Sequence, residues 1–287
     1  MSIRDLGYKP YEGQWLPHSR RYMALIRRTL ALAWATRLIK ITLIGSLFPM
    51  LVCGAVMFAK LKLMHQLGGT NVKVQLDDPV ELVFTLFYWC QIWFALSMSL
   101  RVAAPAVADD IRTGALQFYF SRPVTRIQYM AGKVVAVAVL VTLVSAVPAL
   151  VLALFRVLLS LNGQEALVGL GHALRVLVYA PVFAAVLSVP PVFLSSLGRR
   201  TGVIRGLWAM VFFFSWIFGE GMASATDVDW FALISLPTTL RLMGQHIFGH
   251  ELSYPIPWYY VAGVLLAVVC GSGALLLRRL RQVEVLR

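Results

Sequence analysis

Ionisable side chains are sparse in this 287-residue chain, so those at chemically suggestive spacings stand out. His246 and His250 lie four apart beside Glu251, a spacing that on one helix face suits zinc ligation. Gly249 interrupts that helix, however, and Ile247 stands where a zinc protease carries its general-base Glu. Interfacial polar residues are the expectation there, with no metal site. Asp109-Asp110 is followed by Ile-Arg-Thr and so does not complete the D-D-x-x-D pattern of a prenyl transferase. The G-x-S-x motif of a rhomboid-like protease is also missing, and the histidines are expected to lie outside the span centres. Gly198-Arg199-Arg200-Thr201-Gly202 is the run closest to a phosphate-binding loop, but it lacks the Gly-Lys-Ser/Thr of G-x-x-x-x-G-K-[ST]. The chain is therefore expected to be no enzyme and to bind no cofactor itself. Cys53, Cys90 and Cys270 have no close spacing and read as small apolar packing residues. Glu220 lies near the outer end of the fifth predicted span, where an ionisable residue is a candidate intramembrane polar site. It can also sit in water or pair with Arg156, Arg175 or Arg241.

The elements that position these residues follow from composition. The chain is 59% hydrophobic and only 14% charged, against about 25% charged in ordinary soluble domains. A helix needs about 20 mainly apolar residues to cross a bilayer core of about 30 Å. Uncharged or nearly uncharged gaps predict an all-α membrane protein with six transmembrane helices near 41–59, 82–107, 127–155, 176–198, 203–223 and 257–277. A β-barrel would instead show short alternating strands, whereas Val134 to Leu154 is almost continuously apolar. Pro190-Pro191 is expected to bend or break the inner half of the fourth helix.

The formal charge of +13 raises the question of nucleic acid, and the placement of the basic residues answers it. With both termini in the cytoplasm, 20 of the 26 Lys and Arg fall on that side. Lys60, Lys62, Lys73, Arg156, Arg175 and Arg241 fall on the other. This is the positive-inside bias of a multi-pass protein, and no nucleic-acid partner is implied. Residues 1–40 read as a cytoplasmic arm, with Ser19 capping an amphipathic helix that bears Arg20, Arg21, Arg27 and Arg28 toward the lipid bilayer. Residues 41–277 form the transmembrane domain and 278–287 a cytoplasmic tail. On the outer side, Leu236, Leu240, Met243 and Ile247 predict a short interfacial or re-entrant helix after Pro237. Arg101 and Lys133 are expected to snorkel to headgroups, with Arg101 close enough in sequence to pair with Asp109 or Asp110.

The stretch from Asp109 to Lys133 is longer than a simple connection needs. It predicts a short helix from Asp109 to about Phe120, with the two Asp at its N-terminal end, closed by Ser121-Arg122-Pro123. Its apolar residues require a partner, either the chain's own helix ends or a second protein. Asp110, Gly114, Leu116, Ser121, Pro123, Val124, Thr125, Arg126, Tyr129, Gly132 and Lys133 together resemble the first cytoplasmic loop of ABC-2 type transporter permeases. These are membrane subunits of bacterial exporters, including the permease of copper-site maturation in nitrous oxide reductase. The chain departs from the pattern in carrying Asp109-Asp110 where many relatives carry Glu.

The resemblance implies that this helix is a coupling helix seated in a separate ATPase subunit. It implies Asp109, Asp110, Arg112, Gly114, Leu116, Gln117, Phe120, Ser121, Arg122, Pro123 and Arg126 as the coupling residues, with Arg199 and Arg200 as a second contact. The assembly it implies has two permeases and two ATPases in the bacterial inner membrane, with ATP and Mg2+ held by the ATPase and room for periplasmic or accessory subunits. Secondary carriers and channels are the competing class. They are usually built from internal repeats with midplane charges, which the sequence does not display.

Overall fold

The computed structural model describes residues 22–67, 79–120, 125–160 and 163–285. These are helical, with no strand among them. The order is α1 (Tyr22–Ala35), α2 (Arg37–Gly45), α3 (Leu47–Leu67), α4 (Pro79–Arg112), α5 (Ala115–Phe120), α6 (Arg126–Leu158), α7 (Gly163–Ser195) and α8 (Thr201–Thr226). A 3-10 turn (Asp229–Ile234), α9 (Leu236–Phe248) and α10 (Trp258–Val285) complete it. Six segments are long and apolar enough to cross a membrane: Arg37–Ala59, Val83–Arg112, Arg126–Leu158, Gly163–Ser195, Thr201–Thr226 and Trp258–Arg281. This is the architecture of a multi-pass membrane protein.

The first span is built from two helices. Pro49 lies in the first turn of α3 and offers no amide to the preceding turn, so the chain breaks at Ser46. The buried Gln91 amide of α4 donates to the Ser46 carbonyl (2.8 Å), a polar contact across helices that suits a low-dielectric setting. α4, α6 and α7 form the centre. Their shared face is lined by small residues such as Ala103, Ala136, Ala149, Ala153 and Ala184, all buried, which lets the helices approach closely. α6 and α7 contain 33 residues each, about 50 Å of helix, and form an antiparallel pair.

The fourth span differs from the sequence reading. Its helix begins 13 residues earlier than the uncharged gap and ends at Ser195. It also continues through Pro190 and Pro191, both buried against neighbours that stabilise the helix around the missing amides. Glu165 and Arg175 lie within α7. A charge-free gap therefore gives less than the full length of the helix that contains it.

α9 is packed against α4, α7, α8 and α10. Leu240, Leu242 and Phe248 are fully enclosed, and Tyr179 donates to the Leu240 carbonyl (2.9 Å). The Phe248 ring stacks on Phe84 (5.5 Å) and meets Tyr88 (5.3 Å) and Tyr179 (6.1 Å). Arg175 caps the far end by donating to the Phe248 carbonyl (2.6 Å). α9 and α5 thus lie toward opposite ends of the α4 helix.

Candidate functional site

Asp109 and Asp110 occupy the last turn of α4, so the two acids sit at the negative end of a 34-residue helix. This corrects the expectation that they open a helix running to Phe120. Carboxylates at that end require compensation, and it comes from side chains far along the chain or on the same turn. Lys133 Nζ lies 2.6 Å from Asp110 Oδ2, and the Tyr129 hydroxyl donates to the same oxygen at 2.6 Å. Arg112 bonds Asp109 at 3.2 Å in a more exposed pair. Lys133 is only 7% exposed, which overturns the snorkelling expectation: its ammonium is held by the half-buried Asp110 carboxylate and lies 5.6 Å from the Tyr129 ring centre. Arg101 pairs with neither Asp; its Nε donates to Ser97 Oγ (3.2 Å).

Beyond Arg112 the chain turns at Gly114, whose φ of 71° is readily adopted only by glycine. α5 then covers six residues, Ala115–Phe120, shorter than the twelve read from sequence. The Thr113-Gly114 turn separates it from α4. Leu116 is buried, and Tyr119 sets its ring 5.5 Å from Tyr129. The chain's own helix ends therefore hold part of the apolar surface of α5. Burial, then the neighbouring Asp110, push the Tyr119 phenol above its ordinary range, while Arg28 opposes them. Gln117 and Phe120 belong to α5, while Ser121, Arg122 and Pro123 lie outside the described residues.

α6 starts with a capping box: Thr125 Oγ1 accepts from the Gln128 amide, and Gln128 Oε1 accepts from the Thr125 amide, both at 3.2 Å. The Thr-x-x-Gln spacing was readable from sequence, although the sequence reading began the span at 127. Arg126 is the first residue of α6. Immediately before Lys133, Gly132 admits α1. A Cβ there would lie 2.9 Å from Leu25 Cβ, so a larger residue would displace α1 from α6.

Ser195 is a residue the sequence reading missed. Pro105 removes an amide within α4 and its ring crowds the carbonyl of the preceding turn. One turn later, Ser195 Oγ of α7 accepts from the Val107 and Ala108 amides (3.0 and 2.9 Å) and donates to the Ala104 carbonyl (2.6 Å). A side chain inserted into the ladder is a recognised basis for a helix kink. It stands immediately before Asp109. The available signal was Pro105 inside an apolar span, but nothing local pointed to a serine about 90 residues away.

Arg199 and Arg200 lie exposed in the turn from α7 to α8, a few residues after Ser195 and hence at the α5 end of the bundle. Arg200 is the N-cap of α8 and makes no side-chain cap bond. A cation at a helix N-terminus does not stabilise that helix.

At the opposite end, Glu220 accepts from the Thr238 hydroxyl (2.6 Å) and the Tyr254 hydroxyl (3.1 Å). Of the alternatives open from sequence, water or an arginine partner, neither anticipated these two hydroxyls. Arg241 instead lies over the Trp89 ring, 5.5 Å from its centre. Burial, followed by the Glu220 charge and its hydrogen bond, pushes the Tyr254 phenol upward. Glu220 therefore ties α8 to α9 and the segment before α10. His246 meets the Ile256 carbonyl at 2.9 Å, and the His250 ring stacks on Phe248 at 5.9 Å. Among the described residues no group of three or more His, Cys, Asp or Glu is placed to hold a metal. No protein-family model matches the chain, and no curated protein does.

Proposed function

We propose that this chain is the membrane-spanning subunit of an ATP-driven exporter, which takes its energy from a separate ATPase. The observation that carries the reading is the α4–turn–α5–α6 unit. α5 lies between two central spans, joined to α4 through Gly114 and held to α6 by Tyr119, while Asp110 is clamped to Lys133 and Tyr129. A push on this unit reaches both spans, because tightly packed helices move between discrete arrangements. Asp109, Arg112, Gln117, Phe120, Ser121, Arg122 and Pro123 are the proposed ATPase contacts, with Arg199 and Arg200 as a second contact. The α5 end faces the cytoplasm of a bacterium, both termini lie on that side of the inner membrane, and two copies assemble with two ATPases that hold ATP and Mg2+.

Gly114→Pro tests the coupling. Proline fixes φ near −65°, incompatible with 71° at this turn. The variant is expected to insert and retain the thermal stability of the spans, while the co-purified ATPase loses its stimulation by the permease. Unchanged stimulation would sink the coupling reading. Purification of an active chain that moves solute with no ATPase and no ATP would favour a secondary carrier instead.

A further inference from the structure

A groove of about 920 Å³ runs between α1–α2, α4 and α8. It has the size of a small-molecule site, and its walls change character along α4. Asp109, Asp110 and Lys133 line one end, Arg101 and Arg205 the middle, and Leu96, Trp93 and Phe213 the other end. From Asp109 to Trp93 is 16 residues of helix, about 24 Å. Lys133 is neutralised by Asp110, and Asp109 by Arg112. Among the described residues neither Arg101 nor Arg205 forms an ion pair. Arg101 uses Nε on Ser97, which leaves the N–H groups of its two terminal nitrogens as donors. Two uncompensated guanidinium groups beside a hydrocarbon-lined wall are costly against lipid tails alone and complement an anion.

We propose that this groove binds an anionic amphiphile of the membrane. Its phosphate-type headgroup sits between Arg101 and Arg205, and its chain lies along Leu96, Trp93 and Phe213 toward the bilayer interior. The arginines select the headgroup charge, and the apolar end selects for a tail. The site goes beyond the exporter reading and stands without it, because binding requires no ATPase.

Native mass spectrometry of the full chain in detergent tests the site, with phosphatidylglycerol, phosphatidylethanolamine and inorganic phosphate titrated separately. Wild type is expected to bind phosphatidylglycerol about tenfold more tightly than phosphatidylethanolamine, with millimolar phosphate failing to displace it. Arg101→Gln with Arg205→Gln is expected to remove that preference, and Arg101→Lys with Arg205→Lys to retain most of it. Monodispersity and thermal midpoint confirm that each variant is folded. The proposal is overturned by equal binding of the two lipids to wild type, by an undiminished preference in the Gln variant, or by displacement with phosphate, which marks a plain anion site. ATP-dependent transport without this preference overturns the binding site alone, whereas the preference in a chain that co-purifies with no ATPase from cells and moves solute without ATP overturns the exporter reading alone.

Discussion

Asp110 and Lys133 illustrate how much one buried pair decides. Side-chain exposures of 14% and 9% leave little solvent to stabilise either charge by itself. Removing one partner strands the other, and in buried pairs this costs about 3–5 kcal/mol. Asp110→Asn and Lys133→Met are each expected to lose stability on that scale, while the double variant recovers most of it. A double-mutant cycle on unfolding in detergent measures the coupling, and additive losses would show the pair to be energetically independent. The acids themselves were conspicuous in the sequence as the charges that close a long apolar run. Their partner was not, since Lys133 lies 23 positions away on another helix and no local periodicity links the two.

At the level of elements, the spans were legible because charge is excluded from hydrocarbon, and their ends were not. α4 continues to Arg112 because its terminal carboxylate finds Lys133 and Tyr129, and α7 begins at Gly163 because a helix tolerates Glu165 and Arg175 along its length. The Thr125 box was visible in the spacing of two residues, whereas the Ser195 bridge depends on tertiary packing. Ser195→Ala is expected to cost about 1–3 kcal/mol by leaving the Val107 and Ala108 amides short of a partner. Hydrogen exchange at those two amides should accelerate about tenfold or more, with Leu140 in α6 unchanged. Equal protection in the variant would mean that α4 closes its own ladder without the serine.

For the whole molecule, the charge bias and the six helices make a joint prediction. An even number of crossings places Gly198 and Arg279 on one side and Thr226 and Glu251 on the other. In a background with the three cysteines replaced, an impermeant maleimide should label Thr226→Cys and Glu251→Cys in intact cells. Gly198→Cys and Arg279→Cys should react only after permeabilisation. Labelling of Gly198→Cys from outside would invert the orientation, and labelling of Thr226→Cys and Gly198→Cys from one side would remove the fifth crossing.

The place of α9 in the chain has a consequence for biogenesis. The surface formed by Phe84, Tyr88 and Tyr179 is complete once α7 has been made, but the helix that covers it is residues 236–248. A chain made only as far as α8 therefore has this aromatic, hydroxyl-bearing seam without the helix that covers it. A ribosome stalled before Leu236 would leave that seam open, giving membrane proteases a mark by which to distinguish an unfinished chain from a finished one.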